Sequence, residues 1–163
     1  MPKHSAGLLM YRRGSAGLEV FLVHPGGPFW AKKDLGAWSI PKGEYAPDEP
    51  AVDAAIREFQ EETGFVVSGE LVALGVIKQA GGKIVSAWAF AGDCDPAALV
   101  SNLCRLEWPP RSGALRDFPE IDRGAWFSLA AAADRILPAQ RPFLSSLAAI
   151  LQITAAHISE ASR

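Results

Sequence analysis

Short apolar runs alternate with glycine- and proline-rich punctuation along most of this chain, and their spacing predicts its elements. SAGLLMYRR (5–13) and LEVFLVH (18–24) are strand-length runs separated by RGSAG, which together predict a hairpin. HPGGPFWAKKDLGAWSIPKG (24–43) follows, with glycine and proline throughout and Trp30 and Trp38 set among basic residues. A loop this long in a compact domain points to function. In APDEPAVDAAIREFQEETG (46–64), Val52, Ala55, Ile56 and Phe59 recur at i, i+3, i+4 and i+7, the signature of a helix with one buried stripe. Asp48 or Glu49 precedes Pro50, which suits the first helical turn, and Gly64 suits the C-terminal cap.

FVVSGELVALGVIK (65–78) and KIVSAWAFAG (83–92) predict two strands, with Gly81 and Gly82 as the turn between them. Residues 93–122 show no dominant period. AWFSL (125–129) predicts a last strand, LAAAADRI (129–136) a short helix, and RPFLSSLAAILQITAAHI (141–158) a C-terminal helix. Neither an internal repeat nor an interdomain linker interrupts this order, so residues 1–163 read as a single domain.

Composition narrows the classes. The chain has 163 residues, 49% hydrophobic and 21% charged, which fits a globular protein with a real core. Its formal net charge of -2 provides no basic field for a nucleic-acid polymer, while leaving room for small phosphorylated ligands. No apolar run reaches the roughly 18 residues of a membrane span, and MPKHSAGLLMYRR lacks the core of a signal peptide. Cys94 and Cys104 have no histidine at zinc-like spacing; one bridge between them is the alternative, and reduced thiols in a cytoplasmic protein are the expectation.

The chemistry lies in REFQEETGF (57–65). On a helix, Glu62 sits roughly 40° one way from Glu58 and Glu61 roughly 60° the other way. The three carboxylates therefore share a face, away from the apolar stripe and accessible, with Ala54 on the same side leaving room for something to approach. A solvated acidic face is the plain alternative. Against it, like charges at i, i+3 and i+4 repel, and the last helical turns disfavour anions. Clustered carboxylates are hard ligands suited to Mg²⁺ or Mn²⁺. Arg57 can balance part of that charge or pair with Asp53 four residues back.

With Gly43 and Glu49, the segment 43–65 resembles the signature of the Nudix hydrolases at every fixed position. Seven fixed residues at about 7% each make a chance match far rarer than one in 10⁵. Phe59 stands where the family usually has an aliphatic residue. Pro41-Lys42-Gly43 and Trp126-Phe127 extend the resemblance weakly. It implies an α+β fold, an α/β/α sandwich around a mixed β-sheet with a catalytic loop-helix-loop. It also implies divalent-metal-dependent hydrolysis of a pyrophosphate bond in a nucleoside diphosphate linked to another group. By position, Glu58, Glu61 and Glu62 resemble the metal-binding carboxylates, with the Gly43 carbonyl as a further ligand and Mg²⁺ as the ion, Mn²⁺ as its substitute. Arg57 resembles the residue that orients them. Glu49 and Gly64 take structural roles. Glu58 is the first candidate for the base that deprotonates water, and Glu120 is the acid to test outside the motif, weighed against an ordinary loop carboxylate.

Substrate selection falls outside the motif. Lys42 is a candidate for the phosphates, with Lys32 and Lys33 read as solvated. Trp30, Trp38 and Trp108 are candidate stacking surfaces, and EWPPRSG (107–113) sets Trp108 near Arg111. His24, before Pro25, reads as a strand-end residue. The resemblance is nearest to hydrolases of nucleoside or dinucleoside polyphosphates. The alternatives are ADP-ribose, nucleotide sugars or oxidised nucleoside triphosphates, and, in another class, a non-catalytic nucleotide-binding module.

Overall fold

The computed structural model describes residues 2–152. Eight strands and three helices follow in the order β1 (His4–Gly14), β2 (Gly17–Pro25), β3 (Lys42–Glu44), α1 (Ala51–Thr63), β4 (Val72–Lys78), β5 (Ile84–Ala91), β6 (Leu103–Glu107), β7 (Leu115–Pro119), β8 (Ile121–Ser128), α2 (Leu129–Arg135) and α3 (Arg141–Ile150). Six strands form one mixed sheet, ordered β4-β5-β1-β2-β8, with β3 paired to β1; β6 and β7 form a separate hairpin.

The centre of the sheet is β1, which divides one edge between two partners. Its first half pairs antiparallel with β3, Ser5 opposite Glu44 and Ala6 opposite Gly43, while its last four residues pair with β2. Its other edge runs parallel to β5 from His4 to Tyr11. Side chains alternate across the sheet, so each face carries its own core. Ala6, Leu8, Met10 and Phe21 pack with Ala54, Ala55 and Phe59 of α1. Leu9, Val20, Leu22 and Val85 pack with Leu129 and Ala132 of α2 and with Phe143 and Leu147 of α3 on the opposite face. The expected α/β/α sandwich is thus the observed architecture. Phe59 meets Phe90 edge to face at 5.2 Å, which explains why an aromatic ring fits where an aliphatic one is usual.

Several boundaries move. Pro50 is the N-cap rather than a first-turn residue, with no side-chain cap bond. Gly64 closes α1 in the left-handed region, φ 77°, and its N–H donates to the Gln60 carbonyl. The strand expected over 65–78 begins only at Val72, because Phe65 and Val67 turn inward against the α1-side core and Gly69 takes φ 82°. Ala80–Gly82 make the expected turn, with Gly81 and Gly82 in the left-handed region at φ 83° and 79°. The last strand starts four residues earlier than expected, at Ile121, and Leu129 already belongs to α2. Helix α3 ends at Ile150; the rest of the predicted C-terminal helix, from residue 153, lies outside the described residues.

Candidate active site

The motif folds into a strand, a short loop and a helix that bring Gly43 against Glu58. A Cβ on Gly43 would overlap the Glu58 carboxyl group, so any larger residue there has to displace that carboxyl; the demand comes from contact rather than from a turn. Expected to stay accessible, Glu58 and Glu62 are instead only 8% and 5% exposed. The reason is that Ala54 and Ala55 are small enough to let α1 settle directly on β1. What the small residue admits is the chain's own sheet.

Arg57 joins the acids. Its Nε and Nη2 donate to the two Glu49 oxygens at 3.0 and 2.9 Å, a bidentate pair, and Nη1 donates to Glu58 Oε1 at 2.8 Å and Glu61 Oε1 at 3.2 Å. The Asp53 pairing suggested by spacing gives way to this one, since Glu49 lies beyond the helix end within reach of the whole guanidinium fork. Hydrogen bonds from Arg57 hold the Glu49 carboxyl below its usual range. Burial raises Glu58, partly offset by Arg57. Burial raises Glu62 much further, with repulsion from Glu120 adding to it. Glu62 keeps one hydrogen bond, accepting from the Lys42 backbone N–H at 2.9 Å.

Glu58, Glu61 and Glu62 line a cavity of roughly 550 Å³, together with Glu44. Glu120, between β7 and β8, lines it too, across from the helix. Lys42, Lys83 and Ser5 face the same space, with Lys83 ion-paired to Glu44 at 3.6 Å. Burial and the neighbouring Lys83 charge lower the Lys42 ammonium. The Ser5 hydroxyl is buried and makes no hydrogen bond, the sole such side-chain atom among the described residues. Trp30, Val23, Ala37, Ile40 and Leu137 supply an apolar wall.

The other aromatic candidates lie elsewhere. Trp38 is 4% exposed and belongs to the core, its Nε1–H donating to Asp34 at 2.8 Å. Trp108 packs edge to face on Phe29 at 5.3 Å, at the tip of the β6–β7 hairpin, and neither it nor Arg111 lines the cavity. Lys33 Nζ lies over the Trp30 ring at 5.0 Å. The thiols are free, and burial pushes Cys94 up to about 11 and raises Cys104 as well. Sequence reasoning missed Lys83, Ser5 and Asn102 in the cavity wall, because the pairing of β1 with β5 and the fold-back of the 93–122 segment bring them there.

As placed, the acids do not converge on one point: among the described residues no group of three His, Cys, Asp or Glu is assembled around a metal position. Glu58 and Glu61 are turned to Arg57 and Glu62 to the Lys42 amide. The donor set nonetheless suits a hard divalent cation. Five glutamates border one cavity, the two most buried are held above their usual range, and Gly43 leaves its own side-chain space to the Glu58 carboxyl.

Known proteins share this fold. Among solved structures, the C. elegans Ap4A hydrolase binary complex superposes with a TM-score of 0.64 at 22% identity, over 91% of this chain and 98% of that one. The NUDIX domain of Shewanella oneidensis NrtR, complexed with ADP ribose, gives 0.65 at 16% identity, over 93% and 89%. At these identities the likeness is one of fold. A curated relative, the RNA pyrophosphohydrolase of Erythrobacter litoralis (strain HTCC2594), is 51% identical over 39 residues, which are 24% of this chain and 23% of that protein. The matched stretch thus spans about a quarter of the relative's length. The family model of the NUDIX domain matches residues 1–147, and this chain belongs to that family.

Proposed function

We propose that the chain is a pyrophosphohydrolase, dependent on Mg²⁺ or Mn²⁺, whose substrate is a nucleoside polyphosphate or dinucleoside polyphosphate. The observation that carries this reading is a single cavity whose wall combines five glutamates, two lysines and an apolar surface. Glu58, Glu61, Glu62 and the Gly43 carbonyl would hold the ion, which when bound neutralises phosphate charge. Arg57 fixes the orientation of Glu58 and Glu61 while Glu49 holds Arg57. Glu58 is the first candidate to take the proton from the attacking water, and Glu120, facing the same space, is the second. Lys42 and Lys83 are suited to hold the phosphate chain, and Trp30 offers its ring to a base. Trp108 and Arg111 drop behind Trp30 as substrate contacts, since both lie off the cavity.

Taking the chain as one cytoplasmic domain is part of the same reading; among the described residues no helix is long and apolar enough to cross a membrane. The test is a panel of diadenosine tetraphosphate, nucleoside triphosphates and their oxidised forms, ADP-ribose, nucleotide sugars and a 5′-triphosphorylated oligoribonucleotide, read by product identity. Release of two phosphorylated fragments from a polyphosphate nucleotide is expected. Binding without turnover across the panel would instead make the chain a nucleotide-binding module.

A further inference from the structure

His24, the penultimate residue of β2, has its imidazole fully buried, and nothing in the proposed chemistry uses it. Nδ1 lies 2.9 Å from Asp122 Oδ1 and Nε2 lies 2.6 Å from the Lys33 carbonyl oxygen. Both partners are acceptors, so each bond needs an N–H on the nitrogen that faces it, and which of the two a neutral ring makes depends on its tautomer. The Trp38 ring packs edge to face on it at 5.2 Å. Asp122 reaches it through a slip in register. His24 pairs with Arg123, but Pro25 pairs with Ile121, so Asp122 is the extra residue of a bulge. Bulges re-aim side chains, and this one turns a carboxylate onto a buried ring.

The second partner matters because of what Lys33 holds. Its N–H donates to the Trp30 carbonyl at 2.9 Å, while its own carbonyl faces His24. A continuous series of contacts therefore runs from Asp122 on β8, through His24 and Lys33, to Trp30 on the cavity wall. The rest of the loop is anchored without touching Trp30. Gly26 N–H donates to the Glu120 carbonyl, and Asp34 accepts from Trp38 and pairs with Arg135 at 3.3 Å. Between these anchors, the Trp30 ring packs on the core beneath the Lys33 ammonium, while His24 holds the Lys33 end of the Trp30–Lys33 turn. If filling the core were its only task, an apolar side chain would do so without burying a polar ring.

We propose that His24 and Asp122 form a latch that sets the Trp30 wall against the cavity, making the pair a positioning determinant of nucleobase binding. This rests on the reading that the cavity takes a nucleotide. Asp122→Ala cuts the latch from its partly exposed side without opening a hole in the core, and His24→Asn cuts it from within. Losing one such hydrogen bond corresponds to roughly a tenfold change. For Asp122→Ala we expect about a tenfold rise in KM for the best nucleotide, with kcat within about threefold. Amide hydrogen exchange should quicken about tenfold over residues 28–33 and stay unchanged in α1. Asp122→Asn, which keeps an acceptor oxygen, should restore both values. A wild-type KM in Asp122→Ala, or a fall in kcat at constant KM, overturns the proposal. If wild-type protein turns over none of the panel, it is the catalytic reading that fails. Exchange alone then decides the latch, and unchanged exchange over 28–33 overturns it.

Discussion

The two ends of the cavity are built differently. At the acidic end every group of the motif is tied: Glu49 to Arg57, Arg57 to Glu58 and Glu61, Glu62 to the Lys42 amide, and Gly43 pressed against Glu58. At the aromatic end Trp30 sits on a long loop, Phe29 beside it is 58% exposed, and the β6–β7 hairpin stands off the main sheet. The contrast suits a fixed reaction served by an adaptable recognition surface. Groups that stabilise charge must be preorganised, whereas a surface that meets a base gains from loop variation.

The largest effect should come from breaking the acidic end without unfolding it. Glu58→Gln and Glu62→Gln each keep a carbonyl oxygen for the bonds seen here, to Arg57 and to the Lys42 amide. Turnover should nevertheless fall on the order of 10²- to 10⁴-fold. Thermal melts should show folded protein, and unchanged turnover in both variants would remove these residues from the chemistry. Gly43→Ala comes next. Its new methyl group must displace the Glu58 carboxyl, and a displacement near 1 Å costs on the order of 10² in rate. Wild-type kinetics in this variant would show that Glu58 has more freedom than its packing allows.

The aromatic end should respond more weakly, and in KM. Stacking on a base contributes about 1–3 kcal/mol, so Trp30→Ala should raise KM for nucleotides roughly tenfold or more. Trp108→Ala, off the cavity, should stay within about twofold, below the contribution of one hydrogen bond. Steady-state kinetics on the pair tests whether the wall or the hairpin tip meets the base. A reversal of the two would move the recognition surface onto the hairpin.

The same contrast explains what could be read from the chain alone. The acidic end was legible because its geometry is local: Glu58, Glu61 and Glu62 share a face by helical periodicity, and Gly43 and Glu49 lie within fifteen residues of Glu58. Even there the burial of Glu58 and Glu62 was hidden, since it depends on β1 receiving α1 through Ala54 and Ala55. The aromatic end depends on pairings between distant segments. Lys83 and Ser5 come together because β5 runs parallel to β1, and His24 meets Asp122 across 98 residues through a bulge. Trp38 could not be told from Trp30 by composition; only the fold puts one in the core and the other on the wall. The apolar FVV at 65–67 resembled a strand because inward packing after a helix and strand pairing leave similar residue patterns.

The central claim is that this acidic corner works with a divalent cation. Its most direct test is the initial rate of polyphosphate-nucleotide hydrolysis measured in chelator and then across a Mg²⁺ titration. No turnover in chelator and a saturable return of rate with added Mg²⁺ is the predicted result. Hydrolysis at full rate in chelator would contradict it.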